Sequence, residues 1–181
     1  MGTIFLIATD TIGRHRADVE SIDLAAFWKA FQVDPLGVQR DFLVRHAGRV
    51  VSLDEAATET GFRPVAASHI PDTVAVESNY LLDLPCCRCI ETVCRRDDDT
   101  LVVVFQHDDE QPDWFPDCPQ VTMRIAGTTC RLIELEDHVA ASCRIGESAV
   151  TIVGLLDIDE LTQWVQALTG AKPVVPHAGP E

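Results

Sequence analysis

Cysteines are the residues of this chain best suited to chemistry, and four of the seven lie in one short stretch. They are Cys86, Cys87, Cys89 and Cys94, and His107 follows them further along the chain. Thiolates combined with one imidazole are ligands that zinc and cuprous copper accept. Two interpretations follow. The first is a zinc or copper site with Cys87, Cys89, Cys94 and His107 as its ligands, and the second is thiols that act as small hydrophobic residues or form an incidental disulfide.

The cysteine cluster is expected on a β-strand, because it leads through an acidic turn at residues 97–99 into an apolar run at residues 101–105. Two β-prone runs joined by a short polar turn predict a hairpin. Since alternate side chains of a strand share a face, Cys87 and Cys89 should point one way and Cys94 the other. A regular strand therefore does not gather these thiols around one ion, and the metal interpretation requires a bulge where the strand begins.

A second pair of cysteines, Cys130 and Cys143, is placed by an argument about strand register. If Glu136 and Asp137 form a two-residue turn, the residues on either side of it face each other, and so do Cys130 and Cys143. Directly opposed residues have β-carbons about 4.5–5.5 Å apart, which allows a somewhat strained disulfide. We predict this disulfide for an oxidising compartment and two separate thiols for a reducing one.

A catalytic constellation is not recognisable in the sequence. The six histidines are scattered, and none stands at a motif spacing from a serine, a cysteine or a pair of carboxylates. A nucleophile built from Cys94 and His107 would have no identifiable third group to orient it. The sequence therefore predicts a protein that is not an enzyme and has no catalytic residues.

The charge of the chain disfavours two classes of partner. Its 29 acidic and 14 basic side chains give a formal net charge of −15. Such a field repels phosphate backbones and anionic lipid headgroups, so nucleic-acid binding and electrostatic membrane docking are both disfavoured. No stretch approaches the ~20 apolar residues that span a bilayer. The apolar opening at residues 1–9 fits either the outer end of a membrane anchor or a first β-strand.

The chain divides into three regions by its local patterns. Residues 1–50 are predicted as a helical N-terminal segment, the outer end of a membrane anchor followed by a stalk, with an amphipathic face at residues 21–31. Residues 51–170 are predicted as one α+β domain of sensor type. Residues 171–181 contain three prolines and few apolar anchors, which predicts a disordered tail.

The α+β domain is expected to contain an antiparallel β-meander of about five or six strands. Ser52 and Glu55 form a capping box that begins a short helix before the strands. A helix at residues 157–169 should bury its apolar stripe on one face of the sheet. Short polar gaps separate the β-prone runs at residues 87–95, 100–106, 121–126, 129–135, 139–145 and 149–155.

The order of these elements resembles the extracytoplasmic C-terminal domain of membrane-tethered anti-sigma factors and related bacterial proteins. The resemblance covers about residues 50–170, and the Cys-Cys-x-Cys motif at residues 86–89 is similar to that of one subgroup. It also rests on shorter motifs at residues 61–65, 70–73, 104–110, 114–115 and 153–161. In such proteins a cytoplasmic sigma-binding region and one membrane helix precede this domain. The resemblance implies a sensory or regulatory role, a protein partner such as a sigma-regulating protein, and no established catalytic residues.

Two functional hypotheses result. The first is a non-enzymatic sensory, regulatory or protein-interaction domain that faces the extracytoplasmic side and is tethered to the membrane by upstream residues. The second is a thiol-based protein that binds zinc or copper, or senses redox state, through the cluster at residues 86–94. A cytoplasmic location remains the alternative for either hypothesis.

Overall fold

The computed structural model describes residues 22–67, 69–108 and 114–170 of the chain. These residues form an α+β fold with four α-helices and one antiparallel sheet of eight strands. The helices are α1 (Leu24–Val33), α2 (Pro35–Arg45), α3 (Leu53–Thr60) and α4 (Ile158–Thr169), and Val65–Ala67 form one 3-10 turn. The strands are β1 (Arg49–Val50), β2 (Val74–Asp83), β3 (Arg88–Arg96), β4 (Leu101–His107), β5 (Gln120–Ile125), β6 (Thr128–Leu135), β7 (His138–Ile145) and β8 (Ser148–Leu155).

The sheet joins two meanders through one central pairing. Its strand order is β1-β2-β3-β4-β8-β7-β6-β5, and every neighbouring pair is antiparallel. Strands β4 and β8 close the two halves into one sheet, with Val104 opposite Ile152. The α+β class and the antiparallel meander are confirmed. The expected five or six strands undercount the sheet, because β1 has only two residues and β2 runs through polar residues, so neither strand shows a clear alternation.

Helices cover both faces of the sheet. The front face, as we name it, lies under α1 and α2, and its core contains Phe27, Phe105 and Val153. The back face lies under α4, where Trp164 and Val104 belong to the core. The packing of the C-terminal helix on one face agrees with the expectation. Helices α1 and α2 share one hydrophobic core with the sheet, so the described part of the N-terminal segment packs against the strands.

Local capping residues fix where the helices begin. Ser52 and Glu55 form the predicted capping box at α3, since the Ser52 side chain accepts from the Glu55 amide and the Glu55 carboxylate accepts from the Ser52 amide. Helix α4 begins after Asp157, whose carboxylate accepts from the Glu160 amide at 2.8 Å. The predicted anchor at residues 1–9 and the predicted tail at residues 171–181 lie outside the described residues.

Candidate functional site

The structure separates the four residues that the sequence suggests as metal ligands. Cys89 is fully buried in the front-face core, and Cys87 packs against the edge of that core. His107 is fully buried, and its ring centroid lies 4.8 Å from that of Trp114. Cys94 is also fully buried, but it belongs to the back-face core. Strand alternation therefore places Cys94 on the other side of the sheet, and the four residues do not meet.

Burial makes two of these thiols poor nucleophiles. It raises the pKa of Cys94 to about 12. It also raises the pKa of Cys89 well above its ordinary value, with smaller contributions from Cys87 and Glu91. Because the thiolate is the nucleophilic form, both groups are protonated and weakly nucleophilic at neutral pH. Among the described residues, no group of three or more histidine, cysteine or carboxylate side chains is placed to hold a metal ion.

Cys130 and Cys143 meet as the register argument expects. Residues Leu135 and His138 face each other across the two-residue turn, and Cys130 is paired with Cys143 between β6 and β7. The structure joins the two sulfurs in a disulfide, with α-carbons 4.4 Å apart. Both residues are buried in the back-face core. This disulfide is therefore an internal cross-strand link.

Cys86 and Cys87 lie at the tight turn between β2 and β3. Leu84 and Cys87 exchange two backbone hydrogen bonds, of 3.0 and 3.2 Å, which close a turn around Pro85 and Cys86. The Sγ atoms of Cys86 and Cys87 are 3.2 Å apart. Cys86 is exposed and Cys87 is partly buried. The turn thus presents two adjacent thiols at one end of the sheet.

A groove of about 740 Å³ opens on the front face, between the α1–α2 pair and the strands. Trp28 and Phe31 on α1 and Tyr80 on β2 give it aromatic walls. Gln39 and His138 contribute polar groups to the same lining. A concave site of several hundred Å³ with apolar walls and a few placed polar groups is typical of small-molecule binding.

A buried carboxylate lies behind the groove. Gln39 donates a hydrogen bond of 2.9 Å from its amide nitrogen to Glu91 Oε2. Glu91 is fully buried, and the strand register places it between Tyr80 on β2 and Phe105 on β4. Burial raises the pKa of Glu91 to about 7, and the hydrogen bond from Gln39 opposes that rise. This carboxyl group therefore changes protonation near neutral pH.

Three buried polar atoms beside the groove have no hydrogen-bond partner among the described residues. They are Trp28 Nε1, Gln39 Oε1 and Glu91 Oε1. An unpaired buried donor or acceptor typically costs about 1–3 kcal/mol. The first is a donor and the second an acceptor, so together they match a molecule that carries one acceptor and one donor.

Polar pairs line the rim of the groove. Arg95 donates to Glu77 at 2.6 Å, and the Gln32 amide nitrogen lies 2.8 Å from His138 Nδ1. The Trp28 ring meets the His138 ring edge-on, with centroids 5.3 Å apart. Burial, and to a lesser extent the charge of a nearby arginine, lowers the pKa of His138. His138 is therefore a neutral hydrogen-bonding group at neutral pH.

The sequence alone does not predict this groove, although it carries one signal for it. Glu91 shares one face of β3 with Cys89 and Val93, which are both apolar. A carboxylate at such a position is unusual unless it is paired or functional. The other lining residues come from helices and strands that only the tertiary fold brings together.

Comparisons with protein-family models, with curated proteins and with solved structures found no match to this chain. In the ranges 22–67, 69–108 and 114–170, no helix is long and apolar enough to cross a membrane.

Proposed function

We propose that this protein is a non-enzymatic sensory or regulatory domain that binds a small molecule in the front-face groove. The observation that carries the proposal is the pair of unpartnered polar atoms Trp28 Nε1 and Gln39 Oε1, which belong to two residues that line an aromatic-walled groove. The groups with reactive potential are held away from it, since Glu91 lies behind Gln39 and Cys89 is buried and protonated. The groove thus offers contacts and hydrogen bonds, which suits recognition more than bond breaking.

The chemistry of the groove favours a planar aromatic ligand with a carboxamide-like group. Trp28, Phe31 and Tyr80 provide flat apolar surfaces on which such a ring packs. The indole N–H of Trp28 would donate to the ligand carbonyl, and the Gln39 oxygen would accept from its amide. Pairing atoms that are otherwise buried without partners favours the bound state, because their desolvation cost is already present in the free protein.

We also propose an extracytoplasmic location and a protein partner, as in an anti-sigma-factor-like regulator tethered to a membrane. The buried Cys130–Cys143 disulfide supports the location, because disulfides persist in oxidising compartments. The helical pair that covers the groove supports the partner, since Val33, Leu36 and Val44 are large apolar side chains that it leaves exposed. Leu36 also lines the groove, so a ligand there would touch the same helical pair.

An NMR titration of the indole N–H signals tests the ligand site directly. The three tryptophans report on different places: Trp28 lines the groove, Trp114 lies beside His107, and Trp164 on α4 lies in the back-face core. With benzamide as the probe at millimolar concentration, we expect the Trp28 signal to shift in a saturable way while the other two stay in place. Equal movement of all three signals, or none, would argue against the site.

A pair of glutamine variants adds specificity to this titration. Gln39→Leu removes the acceptor beside the groove, and we expect it to weaken benzamide binding at least tenfold, the effect of losing one well-placed hydrogen bond of about 1.4 kcal/mol. Gln163→Leu is the matched control, because Gln163 is exposed on α4 on the other side of the sheet. The proposal fails if both variants bind benzamide like the wild type.

A further inference from the structure

We propose that Cys86 and Cys87 form a thiol–disulfide exchange site, in which Cys86 captures a low-molecular-weight disulfide and Cys87 resolves it into a vicinal disulfide. This inference goes beyond the proposed groove, and it rests on different residues. It assigns the reactive part of the cysteine cluster to the β2–β3 turn and excludes the thiols inside the sheet.

Accessibility singles out this pair among the clustered cysteines. Cys86 is exposed and Cys87 is partly buried, whereas Cys89 and Cys94 are completely buried on opposite faces of the sheet. The attacking thiolate must approach the dissolved disulfide along the axis of that disulfide's S–S bond. Only an exposed thiol leaves room for this approach, so only an exposed thiol can begin the exchange. Cys86 is therefore the capturing residue and Cys87 the resolving one.

The turn holds the two sulfurs ready to react with each other. Their Sγ atoms are 3.2 Å apart, and the turn that carries them is closed by two backbone hydrogen bonds between Leu84 and Cys87. Pro85, the first residue inside the turn, has its φ angle fixed by its ring. Little conformational entropy is lost when the second sulfur attacks, which favours resolution once capture has occurred.

Covalent geometry makes the resulting bond easy to reverse. Adjacent α-carbons are about 3.8 Å apart across a trans peptide, whereas disulfides prefer about 4.4–6.8 Å. A vicinal disulfide is therefore strained, and strained or exposed disulfides have the more oxidising potentials. The link between Cys130 and Cys143 differs, because it is buried in the back-face core and shielded from dissolved thiols.

The exchange is balanced in atoms and electrons. The Cys86 thiolate attacks one sulfur of a small disulfide R–S–S–R, whose S–S bond breaks and releases R–S⁻. The Cys87 thiolate then attacks the Cys86 sulfur of the mixed disulfide and releases the second R–S⁻. Two electrons pass from the protein thiols to the small disulfide, and the two thiol protons end on the two R–SH products.

Oxidation of Cys86 and Cys87 is expected to affect the packing of the front-face core. Cys87 packs against the core that α1 and α2 cover, and Leu84 beside it is buried in that core. Formation of the vicinal bond pulls the Cys87 side chain toward Cys86, so its contact with this core changes. Oxidation at the turn is therefore expected to alter packing under the helical pair.

Mass spectrometry of the full chain treated with glutathione disulfide tests the proposal. Trypsin cleaves after Arg88, which separates the peptide with Cys86 and Cys87 from Cys89 and Cys94. In the wild type we expect that peptide to lose two hydrogens and to retain no glutathione. In Cys87→Ser we expect a lasting glutathione adduct on Cys86, because the resolving thiol is gone. In Cys86→Ser capture should slow at least tenfold.

Two further measurements complete the test. Cys118→Ser is the control variant, because Cys118 is another partly buried thiol, and it should react like the wild type. On addition of reduced glutathione, the vicinal bond should open while the Cys130–Cys143 link stays closed. The proposal is overturned if the wild type keeps a glutathione adduct at the turn, if the two serine variants react alike, or if the peptide is never modified.

Discussion

Arg96 on β3 and Glu160 on α4 form a two-pronged ion pair that ties the C-terminal helix to the sheet. Arg96 Nε lies 2.6 Å from Glu160 Oε1, and its Nη2 lies 2.9 Å from Oε2. The same guanidinium donates to the carbonyl of Gly154 at 2.6 Å, and Glu160 accepts from the Leu156 amide. Both side chains are largely buried, so their charges depend on each other.

The first prediction concerns removal of one partner of this pair. Arg96→Met leaves the Glu160 carboxylate largely buried without its counter-charge, and we expect a loss of about 3–5 kcal/mol in the free energy of unfolding. Urea denaturation followed by circular dichroism measures it. Asp159→Asn is the control, since Asp159 is an exposed neighbour on α4, and its loss should stay below ~0.5 kcal/mol.

A double variant separates the charge effect from packing. Replacing both partners with apolar residues, Arg96→Met with Glu160→Leu, removes the stranded charge, so part of the lost stability should return. If the double variant is less stable than Arg96→Met alone by more than ~1 kcal/mol, the pair is not the main contribution at this position.

The second prediction concerns Gly154, which lies under the Trp28 ring. Its φ angle is +90°, and a β-carbon there would overlap the Trp28 ring. Gly154→Ala therefore adds both backbone strain and a steric clash, and we expect a loss of about 2–4 kcal/mol together with a shifted Trp28 indole signal.

Gly127 offers a matched control for this effect. Its φ angle is +85°, but no atom lies within 4 Å of where its β-carbon would be. Gly127→Ala should therefore show the backbone cost alone, about 1 kcal/mol, and leave the Trp28 signal unchanged. Equal losses of unfolding free energy in the two alanine variants would show that the Trp28 ring does not require a glycine at position 154.

The sequence predicts those parts of this fold that depend on neighbouring residues. Alternation and short polar turns predict the hairpins of β3–β4 and β6–β7, and capping residues predict the starts of α3 and α4. The register that pairs Cys130 with Cys143 follows from one turn length. Strand alternation also places Cys89 and Cys94 on opposite faces, as the structure shows.

Contacts between distant residues account for what the sequence does not predict. The Arg96 side chain binds Glu160, 64 positions away along the chain, and no local pattern indicates this pairing. Strand β2 continues to Asp83 through the polar residues Ser78 and Asn79, where apolar and polar residues do not alternate. Hydrogen bonding to β3 stabilises the strand there, and the local sequence does not reveal this pairing. The groove is likewise formed by α1 and α2 lying across strands whose order depends on the β4–β8 pairing.

The third prediction concerns the Cys130–Cys143 disulfide. A cross-link that closes a loop of this size restricts the unfolded chain, and its loss should cost about 2–4 kcal/mol. Wild-type protein unfolded and refolded in dithiothreitol should therefore melt at a lower temperature than oxidised protein. The double variant Cys130→Ala with Cys143→Ala should melt at one temperature in either condition. A wild type that is insensitive to reductant after full unfolding would contradict this prediction.

The fourth prediction concerns the pH dependence of stability that Glu91 causes. Burial raises the pKa of Glu91 from its ordinary value of 4.5 to about 7 in the folded protein. Between these values the folded state holds a proton that the unfolded state has released. Stability therefore falls as pH rises through this window, and the full effect is about 3 kcal/mol. Below the window, both states are protonated and Glu91 contributes no slope.

Glu91→Gln isolates this contribution, because glutamine has nearly the same shape and does not titrate. The difference in free energy of unfolding between wild type and Glu91→Gln should move by about 3 kcal/mol in favour of the variant from pH 4 to pH 8. Urea denaturation at intervals of pH measures it, and contributions from other carboxylates cancel in the difference. A flat difference across this range would show that the Glu91 carboxyl reaches solvent or a compensating partner in the folded state.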